Sequence, residues 1–322
     1  MDGLLIIDKP AGWTSHDVVA RVRRVVGVRR VGHTGTLDPF ATGVLVILVG
    51  RATRLAQFLA GAVKEYDATV RFGYATETGD LTGARREQPE MPDEESCAEW
   101  SREEVERAIA SLRGEIDQVP PMYSAKKVQG RKLYELARRG EQVERQAVRV
   151  TVGEFEIIPD EMGVWLRRNE DATCDLRVRV VCSAGTYVRV LAEDLGARLG
   201  TGAHLAALRR TRAGAFHLSQ AVRLEQLAEH VANSQEGACE FLIAPDAALP
   251  ELPFVHLTGE EARRARHGAA IEVAPPASRR DWREGERVRL RDAAGNLIAI
   301  GVYDTVRGRV QPRVMLDAGD EK

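Results

Sequence analysis

An unbroken apolar run at residues 44–49, Val-Leu-Val-Ile-Leu-Val, most constrains what this chain can fold into. The run has the length of a strand and is largely β-branched, which favours a buried strand. The stretch before it, residues 29–43, holds three glycines and a proline and is therefore predicted to be irregular. Within it Asp38 precedes Pro39, and both positions restrict the backbone. The sequence thus predicts a stiff loop, carrying one carboxylate, mounted on a core strand.

Asp38 has two interpretations. An Asp-Pro pair in a glycine-rich loop is most often a turn whose carboxylate accepts backbone N–H groups. The alternative is a carboxylate held in place for chemistry. The longer string at residues 32–45, Gly-His-Thr-Gly-Thr-Leu-Asp-Pro-Phe-Ala-Thr-Gly-Val-Leu, favours chemistry, because it resembles the signature loop of the bacterial tRNA pseudouridine-55 synthases, the TruB family. In that family the Asp of Leu-Asp-Pro is catalytic, so the resemblance implies this role for Asp38.

Composition is that of a globular protein with two domains of unequal size: 322 residues, 44% hydrophobic and 29% charged. The net charge is only −2, but residues 21–30 hold five arginines and no acid. A basic cluster of this kind is either a solvated helix face or a phosphate-binding surface, so the overall charge does not exclude an RNA partner.

The four cysteines form no C-x-x-C pair, so we expect neither a zinc site nor a disulfide framework, and a reducing cytoplasm as the location. The N-terminal apolar run is too short for a signal peptide, and no stretch has the length of a membrane span. No phosphate-binding or dinucleotide glycine motif is present in the sequence. We therefore expect no cofactor, no metal and no membrane association.

Hydrophobic periodicity predicts an α+β fold. Capping-box patterns begin helices near Thr14 and Ser101, and Thr186 is predicted to cap a third helix. The predicted strands are 4–7, 44–49, 64–73, 148–158 and 175–181, and the predicted helices are 15–26, 51–59, 102–112, 187–199 and segments of 224–243. After a proline-spaced boundary near 245–253, a short helix at 259–267 and strands at 286–290, 297–303 and 309–316 predict a small β-barrel.

Arg189 falls in the first turn of a predicted helix, where the helix dipole does not favour a cation. A buried carboxylate partner would explain its position, and Asp38 is the candidate. The surrounding string at residues 183–189, Ser-Ala-Gly-Thr-Tyr-Val-Arg, together with Leu208-Arg209-Arg210-Thr211, resembles a further motif block of the family. His204 in the same block receives no role beyond structural hydrogen bonding.

A basic segment follows Val-Pro-Pro-Met-Tyr-Ser-Ala at residues 119–125, which resembles another family motif. Between residues 113 and 149 there are nine Lys or Arg against five Asp or Glu. This surplus, interleaved with tyrosines, indicates either RNA contacts or a mobile surface loop. By resemblance it is the RNA-gripping thumb segment, at about residues 116–147.

The resemblance implies further roles. His33 would enter the RNA loop, Tyr66 would stack on the target base, and Tyr187 and Leu208 would wall the base pocket, although each of the last three could equally be a core residue. Arg189 would pair with Asp38. The residues expected to bind RNA are Lys9, Lys64, Lys126, Lys127 and Arg131.

The prediction is therefore an α+β protein with a pseudouridine-synthase-type mixed or antiparallel sheet flanked by helices. Residues 1–245 would form the catalytic domain, and residues 250–322 a PUA-like RNA-binding β-barrel. The expected activity is isomerisation of uridine 55 in the T loop of tRNA to pseudouridine, by a cytoplasmic monomer without an obligatory protein partner. The alternatives are a guide-RNA-dependent relative and a non-catalytic tRNA-folding chaperone.

Overall fold

The computed structural model describes residues 1–86, 100–128, 130–141, 143–234, 237–273 and 282–317. Within these ranges the α-helices are α1 (Ser15–Val26), α2 (Ala56–Leu59), α3 (Arg102–Ala110), α4 (Leu133–Ala137), α5 (Val188–Arg198), α6 (Leu224–Asn233) and α7 (Gly259–Arg266). The strands of the first part of the chain are β1 (Gly3–Lys9), β2 (Val31–Thr34), β3 (Thr42–Val49), β4 (Lys64–Phe72), β5 (Gly114–Gln118), β6 (Lys127–Val128), β7 (Arg131–Lys132), β8 (Val148–Ile157), β9 (Leu166–Arg168), β10 (Cys174–Cys182), β11 (Ala203–Ala213) and β12 (Phe216–His217). Those that follow are β13 (Phe254–His256), β14 (Ile271–Glu272), β15 (Arg287–Arg291), β16 (Leu297–Asp304) and β17 (Arg309–Met315).

The centre of the protein is a mixed sheet, which has ten strands among the described residues. Its main path runs β1-β3-β11-β4-β10-β8-β5, with β2, β9 and β12 attached to β3, β10 and β11. All its pairs are antiparallel except β3 with β11, which lie parallel, with Arg210 opposite Gly43. The predicted α+β fold with a mixed sheet flanked by helices is confirmed.

Both faces of the sheet are buried near β1 and β3, which explains their continuous apolar sequences. Leu5 and Ile7 of β1 pack in a core with the apolar faces of α1, α3 and α5, whereas Leu4 and Ile6 point to the opposite core. Alternate side chains of a strand point to opposite faces, so a strand with a core on each side must be apolar throughout. β4 instead alternates between buried and half-buried residues, as predicted.

The C-terminal part forms a curled five-stranded half-barrel in the order β13-β15-β16-β17-β14, where a small barrel was predicted. It packs on the second core through Leu297, Ile300 and Leu316. Polar contacts fasten the same interface, among them the ion pair of Arg51 Nη1 with Asp317 Oδ1 at 3.5 Å. In the described ranges no helix is long and apolar enough to cross a membrane.

Several local predictions are wrong. Thr186 does not cap α5, because Tyr187 occupies the N-cap position. β2 occupies part of the stretch predicted to be irregular. The helix predicted at residues 51–59 is present, as a 3-10 helix (Gly50–Leu55) that continues into α2. Cys174 is disulfide-bonded, against the expectation from cysteine spacing.

Gly43 is needed where β3 meets β11. Its φ is +98°, and an added Cβ would lie 2.2 Å from Arg210 O. We predict that Gly43→Ala lowers the free energy of unfolding by about 2–6 kcal/mol, because backbone strain and steric overlap add. Urea denaturation followed by circular dichroism measures this loss.

Gly27 is the matched control, because its φ is +68° and an added Cβ would meet no atom within 4 Å. Gly27→Ala should therefore cost only about 1–2 kcal/mol, the strain of the left-handed conformation alone. Equal losses in the two variants would contradict the role assigned to the close approach of β11.

Candidate active site

Asp38 lies in the loop between β2 and β3, and hydrogen bonds on both sides hold its backbone. On one side, Ser15 Oγ accepts from Leu37 N at 2.9 Å and lies 3.2 Å from Leu37 O, to which it donates. On the other side, Ala41 N donates to Asp38 O at 3.1 Å. The stiffness predicted for this loop therefore comes from the first residue of α1 as well as from Pro39.

Lys9 supports the same loop from below. Its side chain is fully buried, and Nζ donates to the carbonyl oxygens of Pro10 (2.8 Å), Trp13 (2.7 Å) and Pro39 (3.1 Å). Burial lowers the pKa of Lys9 to about 8, although Asp38 opposes this shift. In the RNA-free protein this ammonium is occupied by three carbonyl partners and has no exposed surface, so it supports the loop of Asp38. The expected RNA-binding role of Lys9 stays a prediction.

Arg189 and Asp38 form a bidentate ion pair. Arg189 Nε lies 2.8 Å from Asp38 Oδ2, and Nη2 lies 3.2 Å from Oδ1. The side chain of Arg189 is 4% exposed and that of Asp38 is 33% exposed. The planar guanidinium thus fixes the carboxylate plane while one side of the carboxylate stays open.

Two further segments, the turn at residues 78–80 and the stretch around Tyr123, surround the guanidinium. Nη1 donates to Thr78 O at 2.6 Å, and Nη2 donates to Tyr123 O at 2.8 Å. Asp80 Oδ2 lies 4.0 Å from Nη1. These acceptors explain why a cation is stable in the first turn of α5, where the helix dipole opposes it.

Asp80 is a site residue that sequence reasoning missed. Its Oδ1 accepts hydrogen bonds from Thr78 Oγ1 (2.9 Å) and Thr82 N (3.0 Å), which hold a nearly buried carboxylate in a tight turn. The available signal was a second aspartate, directly after Gly79, in the string Thr76-Glu77-Thr78-Gly79-Asp80. That signal alone also fits an ordinary Asx turn.

The two carboxylates share one guanidinium, and this sets the electrostatics of the site. Burial raises the pKa of Asp38, the Arg189 guanidinium opposes the rise, and the charge of Asp80 adds to it. The net direction of the pKa of Asp38 is upward from the ordinary value. Asp38 therefore retains basicity that a solvent-exposed aspartate lacks.

A cavity of about 270 Å³ opens beside Asp38. Tyr66, Tyr187 and Leu208 line it together with Asp38 and Arg189. Tyr66 points inward because alternate side chains of β4 face this side, and Leu208 comes from the adjacent β11. The structure thus brings these predicted residues around one cavity. The volume of this cavity suits a small planar group rather than a drug-sized ligand.

Two buried cations, Lys64 and Arg210, line the cavity. Lys64 Nζ donates to Ala60 O at 2.7 Å, and burial lowers its pKa to about 8. Arg210, which sequence reasoning did not assign, is 1% exposed and donates to Val44 O (2.7 Å) and Gly35 O (3.0 Å). Arg210 therefore braces the loop of Asp38, while Lys64 remains at the cavity wall.

His33 lies on β2, half-buried, in T-shaped contact with His16 at 5.6 Å between ring centroids. Burial lowers its pKa to about 4, and His16 and Arg210 lower it further in the same direction. Its Nδ1 is buried and has no hydrogen-bond partner among the residues that the structure describes. The imidazole is accordingly neutral near pH 7, next to the loop that carries Asp38.

The predicted thumb residues lie on and beside the β6–β7 hairpin. Lys126 is half-buried, and Lys127 and Arg131 are exposed. Arg131 Nη2 pairs with Glu141 Oε1 at 3.3 Å. Ser124 and Ala125, directly before the hairpin, line the cavity, so the basic hairpin begins at the edge of the candidate site.

The described residues contain no group of three or more His, Cys, Asp or Glu side chains that could hold a metal ion. His204 is buried on β11, and its Nδ1 lies 2.9 Å from Tyr74 O, which agrees with a structural role.

Comparison with known proteins identifies the family. The model of the TruB family pseudouridylate synthase N-terminal domain matches residues 23–188, and that of the tRNA pseudouridylate synthase B C-terminal domain matches residues 189–249. A protein of Leifsonia xyli named tRNA pseudouridine synthase B is 46% identical over 300 residues, which cover 92% of this chain and 91% of the relative. The protein of the same name from Thermobifida fusca is 48% identical over 275 residues, covering 84% and 86%.

A crystal structure of a Cbf5-Nop10-Gar1 complex contains a similar chain. The TM-score is 0.68 at 25% identity, and the match covers 98% of this chain and 85% of that one. The fold, the cavity and the buried arginine–carboxylate pair described above thus belong to a chain whose relatives are pseudouridine synthases. This chain belongs to the TruB family of pseudouridylate synthases, which are isomerases.

We predict that the carboxyl group of Asp38 titrates above the ordinary Asp pKa of about 3.9. Asp80→Asn should lower the pKa of Asp38, because it removes a negative charge that raises it. The ¹³C chemical shift of the Asp38 carboxyl, followed against pH, measures both values.

Asp160→Asn, in the turn between β8 and β9, is the control and should leave the pKa of Asp38 unchanged. A wild-type value at or below that of a free aspartate would contradict the dominance of burial. A rise in Asp80→Asn would contradict the electrostatic role of Asp80.

Proposed function

We propose that this protein isomerises uridine 55 in the T loop of tRNA to pseudouridine, with Asp38 as the catalytic carboxylate. The observation that carries the proposal is the bidentate Arg189–Asp38 pair at the wall of a cavity lined by Tyr66, Tyr187 and Leu208. It supplies a fixed, partly open carboxylate beside space for one base.

The relatives support tRNA as the substrate. Those named tRNA pseudouridine synthase B are 46% and 48% identical to this chain, whereas the similar chain of the Cbf5 complex is 25% identical. This difference favours an enzyme that acts on tRNA directly over a guide-RNA-dependent one. We further propose a cytoplasmic monomer that needs no obligatory protein partner.

The reaction rearranges one nucleotide without net change in composition. The bond between C1′ of the ribose and N1 of the uracil breaks, the base turns within the cavity, and C5 bonds to C1′. C5 then loses its hydrogen as a proton, while N1 gains one. No electrons are transferred, so the reaction needs only a base or nucleophile and a site that keeps the detached uracil in place.

Asp38 can begin this sequence by two routes. Its carboxylate can attack C1′ and form a covalent intermediate, or it can remove a proton from the ribose and open a glycal route. Both routes need the ionised carboxylate, which Arg189 orients. The raised pKa of Asp38 strengthens it as a base.

The target uridine must leave the stacked loop before it can react. In this proposal Tyr66 stacks on the flipped base, and Tyr187 and Leu208 form the remaining walls. His33 occupies the space that the base leaves in the RNA loop. Its lowered pKa supports this role, because a neutral imidazole enters a base stack without the cost of burying a charge.

Basic surfaces on two sides of the cavity would hold the RNA backbone. Lys64 would meet a phosphate or ribose at the cavity wall, and Lys126, Lys127 and Arg131 would grip the T arm from the thumb segment at residues 116–147. The exposed arginines near the end of α1 would contact phosphates on the opposite side. Residues 1–245 would act as the catalytic domain and 250–322 as a PUA-like RNA-binding domain.

The direct test is release of tritium from T-arm RNA labelled at C5 of uracil. We predict that wild type releases tritium, and that Asp38→Asn binds the RNA but releases none, because the amide is neither a base nor a nucleophile. Asp160→Asn, distant from the cavity, should behave as wild type. Normal turnover by Asp38→Asn would remove the proposed mechanism.

Tight RNA binding without release by wild type would instead favour the chaperone. Release that appears only after addition of a guide RNA and its proteins would favour the guide-dependent alternative. Mapping the product within intact tRNA tests whether the site is uridine 55.

The thumb makes a separate prediction about salt. Lys127→Gln should weaken RNA binding and reduce the slope of log K against log [salt] by about 0.7–0.9, because one phosphate contact and its released counterion are lost. Filter binding over a series of salt concentrations measures the slope.

Glu141→Gln is the complementary variant, because Glu141 neutralises Arg131 in the free protein. It should tighten RNA binding, because Arg131 would no longer have to break its ion pair with Glu141 before it binds a phosphate. An unchanged slope in Lys127→Gln, or weaker binding in Glu141→Gln, would contradict the assignment of this hairpin to RNA.

A further inference from the structure

The thumb segment reaches the catalytic site at its root, through Gln118. This residue ends β5, and its side chain is only 2% exposed. Its Oε1 accepts a hydrogen bond from Tyr187 N at 3.0 Å, and its Nε2 donates to Tyr187 O at 3.3 Å. One buried amide thus uses its donor and its acceptor on the backbone of a single residue, 69 positions away.

Tyr187 is the point where α5 begins. It is the N-cap residue, its own side chain makes no capping hydrogen bond, and its carbonyl accepts from Val190 N (3.1 Å) and Leu191 N (3.2 Å). The first N–H groups of a helix lack partners within the helix, and fixed acceptors determine where the helix starts. Gln118 therefore fixes the start of α5 from outside the helix.

Two site residues depend on that start. The side chain of Tyr187 lines the cavity, and Arg189 follows two positions later in the first turn. A small shift of this turn would move the phenol and the guanidinium together, and with them the carboxylate plane of Asp38. Small displacements of groups at a reacting centre lower the reaction rate strongly even when the substrate still binds.

The same root holds the site at a second point. Tyr123 O accepts from Arg189 Nη2 at 2.8 Å, and the next residue, Ser124, is buried against the cavity. Lys126 and Lys127, at the start of the basic hairpin, come directly afterwards. The stretch 118–123 is thus anchored on α5 at both ends and leads straight into the surface assigned to RNA.

We propose that Gln118 is a positioning residue for the isomerisation. It holds the root of the thumb in register with the first turn of α5, so that RNA on the thumb meets Arg189 and Tyr187 already in place. It acts through these two residues and touches no substrate. The proposal rests on the proposed function, since it assumes that RNA turnover occurs at this cavity.

The test is single-turnover tritium release from C5-labelled T-arm RNA at a series of enzyme concentrations. Gln118→Met keeps the volume of the side chain but makes neither hydrogen bond. Its rate at saturation should fall about 10- to 100-fold, while the half-saturating concentration stays within about twofold of wild type. Gln118→Glu retains an acceptor for Tyr187 N and should recover part of the lost rate.

Val152→Ala is the matched control, because Val152 is buried in the core on β8, the strand that pairs with β5, and lies outside the segment assigned to RNA. It should lower the melting temperature but keep the saturated rate. If Gln118→Met does not fold, the comparison of Gln118→Glu with Val152→Ala decides by the same criterion of a lower saturated rate.

A saturated rate of wild-type size in the Gln118 variants overturns the proposal, and so does a parallel loss of rate in Val152→Ala. A change confined to the half-saturating concentration also overturns it, since it would assign Gln118 to RNA binding. Absence of release by wild type would overturn the proposed function instead, and the two failures are therefore distinguishable.

Discussion

The guanidinium of Arg189 is the group on which the rest of the site depends. A cation that is 4% exposed has lost most of its hydration and is stable only if protein acceptors replace it. Here the acceptors come from three stretches that are far apart in sequence, through Asp38, Thr78 and Tyr123. The requirement to satisfy one buried charge therefore fixes the loop of Asp38, the turn with the second carboxylate and the stretch around Tyr123 relative to α5.

The central sheet makes this convergence possible. Gly43 lets β3 approach β11 closely, and Arg210 of β11 reaches under that contact to the carbonyls of Gly35 and Val44. Lys9 holds the other side of the same loop. Two buried cations thus hold the loop of Asp38 by its carbonyl oxygens. Together with Ser15 Oγ they donate hydrogen bonds to the carbonyls of Gly35, Leu37 and Pro39.

Charge is unevenly distributed over the protein. The chain carries a net charge of −2, yet cations lie at the cavity, on the hairpin of β6 and β7 and near the end of α1. Fields near a surface depend on nearby charges within about a Debye length. An acidic protein can therefore present a basic track to RNA. His33 is uncharged in the same surroundings, because burial and the charge of Arg210 both disfavour its protonation.

The sequence by itself determined the local elements. Unbroken and alternating apolar patterns identified β3 and β4, and capping boxes identified the starts of α1 and α3. It also marked Asp38 and Arg189, because a stiff loop and a cation misplaced in a first helical turn are local signals. Only the tertiary structure decided the roles of Asp80, Arg210, Lys9 and Gln118. Each of these is an ordinary polar residue in sequence, and its role comes from a partner distant in the chain, which periodicity and spacing do not encode.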